Sequence, residues 1–468
     1  MKTDMTRSTF DPAKRFSSVR LKQGAVQLDA DWNEEIDILA HHEAQSLIDL
    51  VGVAGAPEGR DGFHLAATAA GLTAAEAARP ANQPLPVLAA GDLLITAGRA
   101  YVQGLAVENP AITTLASQPD LPGTGPLTAA GLYLAYLDVW DRTITSLEDA
   151  AIREVALGGP DTATRTRRIW QVRTVRVGIS GAAATCGDNF AAYDAAIAAP
   201  TGQLAARAEP DPAADGPCVL PEDAGYRSLE NQLYRVECRV AGNRATARFV
   251  WSRENGSVVT GWQGQIGPDL TVSAPGPDRS HGFANGDWVE LIDAGRELRG
   301  EAGTLVRLIL VRGNVLTIDP GTASGPTALA QFPVQPRIRR WDSNGAFAAN
   351  ADNWVPLEQG VQVRFAAGSY RVGDFWMIPA RTNIADVEWP RDGGGLPLLR
   401  PPAGIAHAYA RLALVDFDGA AALAVSDCRT LFPPLTGLVQ LHYVGGDGQE
   451  AMPDLSAPAT PTPLAAPL

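Results

Sequence analysis

Short runs in which apolar and polar residues alternate, each closed by glycine or proline, recur through this 468-residue chain and dictate strands over long helices. Leu93 to Asn109 reads as a hairpin punctuated by Gly98 and Gly104. In RRIWQVRTVRVGI, Ile169, Gln171 and Arg173 alternate with Trp170 and Val172, and LYLAYLDVWDRTIT before it has the same texture. With 47 glycines and 35 prolines to supply turns, the expected class is mainly β. An N-terminal extended arm and one amphipathic helix would precede two or three β-sandwich or small-barrel domains.

The helix is the exception to the alternation. Asp31 and Glu34 have capping-box spacing, and Gly52 supplies a stop. Between them Trp32, Ile36, Leu39, Leu47 and Leu50 share one face, while Ile38, Ala44 and Ile48 form a second, narrower strip. Glu43 interrupts the main stripe and no heptad persists, so no simple coiled coil is specified.

Five segments follow: arm and helix over 1–52, a β domain over 53–180, and a Gly/Ala/Pro-rich connection over 181–225. A β-rich region over 226–436 holds a nested small barrel near 286–319, and a Pro/Ala-rich tail occupies 437–468. Within the β-rich region, Asn255-Gly256 signals a turn between Phe249-Val250-Trp251 and Val258-Val259.

The formal net charge of −14 opposes wrapping nucleic acid or resting on an anionic membrane. No apolar run reaches membrane-spanning length and the N-terminus lacks a signal-peptide core, so synthesis in the cytoplasm is expected. Cys186, Cys218, Cys238 and Cys428 lack C-x-x-C spacing and read as free thiols, with a Cys186–Cys218 bridge as the alternative. The RTRR run, with Arg165, Arg167 and Arg168, reads as a strand with solvent-facing arginines.

Motifs for phosphate loops, dinucleotide folds, hydrolase elbows and zincins are missing. His41 and His42 are adjacent on the helix and diverge by about 100°, so they do not converge on one ion. Asp138 and Asp141 flank Trp140, and Glu388 adjoins Trp389, which would suit a glycosidase if two carboxyls met in one cleft. Core packing is the better account of ten tryptophans in a β-rich chain. Arg153, Arg235, Arg253 and Arg381 are expected to pair with Glu154, Glu237, Glu254 or Asp374. No catalytic, cofactor-binding or metal-binding residue is expected.

The opening stretch FDPAKRFSSVRLKQGAVQLDADWNEEIDIL, from Phe10 to Leu39, resembles the start of proteins encoded in extracellular contractile injection system clusters and, more loosely, of phage tail-fibre and baseplate proteins. Further blocks resemble that family in order: LDVWDR at Leu137, REVALGGPDTATRTR at Arg153, LENQLYRVE at Leu229 and FVWSRENGSV at Phe249. GDFWMIPARTN at Gly373, VEWP at Val387, HAYARLALV at His407 and DCRTLFPPLT at Asp427 complete the series. The resemblance implies a structural component of a phage-tail-like particle, in its baseplate or fibre-attachment region, with no catalytic assignment. It implies a homotrimer that contacts other baseplate, tube or fibre proteins within a released or envelope-associated particle. Phe10, Asp11, Pro12, Trp32, Ile36, Leu39, Leu47 and Leu50 are the candidate assembly interface. The alternative is a carbohydrate-binding surface or receptor-binding protein with tryptophans lined up on one open face for glycan contact, and below it a glycan-degrading enzyme.

Overall fold

The computed structural model describes residues 2–78, 84–159, 161–209, 225–349 and 353–435. The protein is mainly β, in three packed units. In the first, strands Gly131–Ile144 and Arg165–Gly178 pair antiparallel along their whole length, from Leu132 opposite Gly178 to Ile144 opposite Arg165. Ala408–Phe417 pairs with the other edge of Gly131–Ile144 and is followed outward by Ala422–Asp427. A second sheet contains the hairpin Gly98–Val102 and Leu105–Asn109, with Ala54–Pro57 between that hairpin and Leu431–Phe432. Val102 and Val107 from this sheet, Leu137, Val139 and Trp170 from the long one, and Phe63 and Leu93 from loops share one core.

The middle unit is built on Gln232–Val240, flanked by Arg248–Ser252 and Phe375–Arg381. Its aromatic core joins Tyr234, Phe249, Phe365, Tyr370 and Trp376. Phe249 lies 4.1 Å from Phe365 by ring centroids and meets Tyr370 edge to face, an arrangement that suits the ring quadrupoles.

The third unit is a closed six-stranded barrel running from Val259–Ile266 to Arg337–Trp341. In that last strand, RIRRW, side chains alternate across the sheet: Ile338 enters the barrel core while Arg337, Arg339 and Trp341 line the junction between units. All five residues of the strand are buried.

Several boundaries differ from the sequence expectation. The barrel is larger than 286–319, because strands before Gly286 and after Asp319 close it. The connection 181–225 contains the helix Ala191–Ile197 and the strand Leu204–Ala208, which pairs with Val361–Phe365 in the middle unit. The first unit is not confined to 53–180, since its long sheet needs the strands from Ala408 to Asp427. Asn255 and Gly256 do turn, with φ of 50° and 68°, but they lead from the middle sheet into the barrel and close no hairpin. The tail 437–468 lies outside the described residues.

Cysteine pairing is also corrected. Cys186 is bridged to Cys428, 242 residues away, with Cα atoms 5.3 Å apart; Cys238 is a buried free thiol, and Cys218 lies outside the described residues. The partners come together because the chain returns to the first unit near its end, which local spacing does not reveal. Non-reducing peptide mapping should recover the Cys186–Cys428 link. Cys428→Ser should lower the unfolding free energy by about 2–4 kcal/mol, reductant should lower the wild type similarly, and the variant should be insensitive to reductant.

Candidate docking site: the N-terminal arm and helix

The N-terminal helix spans Asp29–Val51, three residues earlier than the Asp31 cap signal suggests. Leu28 is the N-cap residue and offers no side-chain cap, so the expected Asp31–Glu34 box is not formed. Glu34 instead accepts a hydrogen bond from the Thr9 hydroxyl, and Asp29 accepts from the Thr6 amide and hydroxyl at 2.8 and 2.7 Å. The acidic first turns thus bind the arm. Asp29 and Asp31 also suit the positive end of the helix dipole. At the other end Gly52, with φ of 91°, returns its amide to the Ile48 carbonyl.

The arm runs beside the helix as far as Phe10, whose ring lies 5.7 Å from that of His41. It reverses through a turn at Pro12–Lys14 in which Asp11 accepts from the Ala13 amide and Arg15 takes φ of 55°. On the way back the Val19 amide donates to Glu35. Ahead of this bend, residues 2–7 also reach the other units. Lys2 bridges to Glu237 at 2.8 Å, the Thr3 carbonyl accepts from Asn255, the Thr6 carbonyl accepts from Arg381, and Arg7 bridges to Glu388 at 2.7 Å.

The two apolar strips of the helix have opposite fates. Ile38, from the narrow one, is 1% exposed, and Ala30 is buried with it. Ala44 sits against the hairpin turn at Gly104, where an added Cβ would lie 2.4 Å from the Ala44 carbonyl oxygen; only glycine, here at φ of 81°, permits that approach. The wide strip faces outward: Trp32 is 60% exposed, Ile36 50%, Leu39 53% and Leu50 77%, with Leu47 half-buried. Exposed Phe16, Leu21 and Val26 of the arm add to the apolar surface of this region. Of the remaining candidates, Phe10 is half-buried on His41, Asp11 caps the reversal, and Pro12 is exposed at its tip.

The other sequence candidates lie apart. Asp138 is buried and accepts from His407 Nδ1 at 2.6 Å with Arg173 3.1 Å away, whereas Asp141 is paired with Arg168 nearer solvent. Glu388, in the middle unit, is held by Arg7 and Arg381. Each of these carboxylates is matched by a base, not by a second carboxylate. Arg165, Arg167 and Arg168 are exposed on their strand, as the RTRR run suggested. Arg235 pairs with Glu237 as expected; Arg253 reaches Asp342 and Glu358, and Arg381 reaches Glu388, in place of Glu254 and Asp374. Arg153 forms a main-chain bridge with Asp161. Trp140, Trp170, Trp251, Trp262, Trp341 and Trp376 are buried, and among the described residues Trp32 is the exposed tryptophan. Among the described residues no group of three His, Cys, Asp or Glu side chains is placed to hold a metal ion, and no helix is long and apolar enough to cross a membrane.

Residues 1–186 and 181–468 match the model of a family of unknown function (DUF6519), and the chain belongs to that family. No curated protein and no solved structure matches it.

Ile38→Ala should destabilise the protein by about 2–4 kcal/mol, as truncation of a buried core residue does, whereas Trp32→Ala, measured on dilute unassembled chain, should change stability by less than about 0.5 kcal/mol. Chemical denaturation of the two variants checks the assignment of inner and outer faces.

The carboxylates that receive the arm give it a pH dependence. Burial pushes Asp29 upward, but hydrogen bonds from Thr6 outweigh this and hold it below its ordinary value. Burial likewise opposes ionisation of Glu388 and Glu237, yet Arg7 with Arg381, and Lys2 with Arg235, keep both low. Groups depressed on folding stabilise fully above their unfolded pKa of about 4 and lose that contribution as pH falls through the folded value. Hydrogen exchange, corrected for intrinsic rates, should show the Thr6 amide protected near pH 7. That protection should be lost as pH falls below the ordinary carboxylate range, through the depressed value of Asp29, before that of the Gly131–Ile144 strand.

Proposed function

We propose that this protein is a structural subunit of a phage-tail-like contractile injection particle, placed in its baseplate or fibre-attachment region and assembled as a homotrimer through the N-terminal helix and arm. The observation that carries the reading is the outward stripe of Trp32, Ile36, Leu39 and Leu50 on a helix already anchored by Ile38. Large apolar side chains concentrated on one exposed helix face signify a partner surface. Exposed Glu43 within the stripe favours a packing other than a regular coiled coil.

Two further features support a structural role. The carboxylates beside tryptophans are each paired with an arginine, which suits positioning of β units better than acid–base chemistry. The Cys186–Cys428 bridge suits oxidising surroundings, as met by a particle released from the cell that makes it. Six of the ten tryptophans are buried and Trp288, Trp354 and Trp389 are half-buried, which supports core packing over an open aromatic face for glycan.

Deleting residues 1–52 would also remove Lys2 and Ile38 from the folded body, so point variants on the outer face are the cleaner test. Light scattering should give the full chain a trimer mass, and Trp32→Asp with Leu39→Asp should give a monomer whose unfolding temperature is close to that of wild type. The full chain should bind purified baseplate and the variant should not. A wild type that is monomeric and does not bind baseplate ends this reading.

A further inference from the structure

The three β units meet around a cavity of about 140 Å³ whose wall carries more buried positive than negative charge. Glu237 is met by Lys2 and Arg235, and Glu290 by Arg239. Glu148 and Glu297 are shared among Arg142, Arg337 and Arg339. Among the described residues, six cations therefore face four carboxylates. Asp141 and Glu301 also touch the cavity, but Arg168 and Arg299 neutralise them from outside it.

This surplus of two is not relieved by titration of the arginines, because a guanidinium keeps its proton in a protein. Removed from water, it calls for an anion. Arg337 and Arg339 are 3% and 5% exposed, and their Nε–H groups have no acceptor among the described protein atoms. The two residues are separated by one position on a strand, so their side chains leave the same face, and both line the cavity. Arg339 is the less neutralised: its carboxylate contact, to Glu297, is 3.5 Å long, and its other hydrogen bond goes to the neutral Gly256 carbonyl. Trp140, Val250, Phe375 and Ile405 supply apolar wall beside these donors.

We propose that the cavity binds a small divalent oxyanion, either a phosphate group or a dicarboxylate, through the Nε–H donors of Arg337 and Arg339. Lys2, whose side chain is the most exposed of the ten charged groups, stands at the entrance. This assignment is independent of the docking role of the helix.

The test is titration of the full-length protein with sodium phosphate, sodium succinate or sodium chloride at matched ionic strength. Thermal unfolding is one readout, and fluorescence of Trp140 and Trp341, which line the cavity, is the other. Phosphate, succinate or both should raise the unfolding temperature by several degrees and change the fluorescence with one saturating curve; chloride should do neither. A response to one salt identifies the head group, and a response to both establishes the shared oxyanion chemistry. Arg339→Met should weaken the response at least tenfold. If that variant does not fold, Lys2→Met, altered at the entrance, carries the same expectation. The proposal is overturned if neither salt exceeds chloride, or if the folded variants titrate like wild type.

Discussion

The junction between the first unit and the barrel turns on Glu297. It leaves a short barrel helix, Ala294–Leu298, and is approached by Arg142 from the first unit at 3.0 Å and by Arg337 and Arg339 from the barrel's own last strand at 2.5 and 3.5 Å. Glu148, from the loop after the first unit's long strand, completes the network through Arg142 and Arg337 at 2.6 and 2.8 Å. Burial would push Glu297 upward, yet the surrounding arginines hold it well below the ordinary range. Glu290, opposed by burial and held by Arg239, Lys2 and Arg339, is brought down to about 2. Desolvation consumes much of the attraction in such a network, so its main effect is selectivity: a misplaced unit leaves a charge buried without its partner. The neighbouring apolar contact among Trp140, Ile169 and Leu298 is small, which leaves orientation to the charges.

That dependence explains which parts of the fold could be read from the chain. Alternation located the strands Gly131–Ile144 and Arg165–Gly178 and the Gly98–Asn109 hairpin, because side-chain direction in a strand has a period of two and local pairing needs only a turn. Pairings that join distant segments have no local signature. Ala408–Phe417 beside Gly131–Ile144, Leu204–Ala208 beside Val361–Phe365, and Cys186 with Cys428 are of this kind. RIRRW carried a signal in its alternating arginines, but exposed strands also alternate; the difference lies in what packs on the outer face. The same limit applies to Lys2, whose importance comes from reaching Glu237 across the fold.

The helix shows how a local pattern can be right in form and reversed in sense. Two apolar strips were evident, and the wider one would ordinarily be expected to face inward. Steric fit decides otherwise: Gly104 admits the helix backbone at Ala44, so the strip of small and medium residues packs inward and Ile38 is covered. Trp32 would not fit such a close approach. The capping signal failed for a related reason, since the carboxylates near the helix start found donors in a segment of arm some 20 residues away.

The arm therefore joins two proposed sites that are separate in space. Its Lys2 lines the charged cavity, its middle lies along the helix, and its return leg carries exposed Phe16 and Leu21. Apart from short turns at Pro12–Lys14 and Lys22–Ala25, it is held by hydrogen bonds with side chains and by ion pairs, with no strand pairing. Hydrogen bonds of this kind are individually weak and partly exposed, so they can exchange one at a time without disturbing the sheets. The long strands are locked by continuous pairing and cannot yield in that way. Lys2 at the cavity and the helix are thus linked through the arm by separate side-chain contacts that lie outside the paired strands.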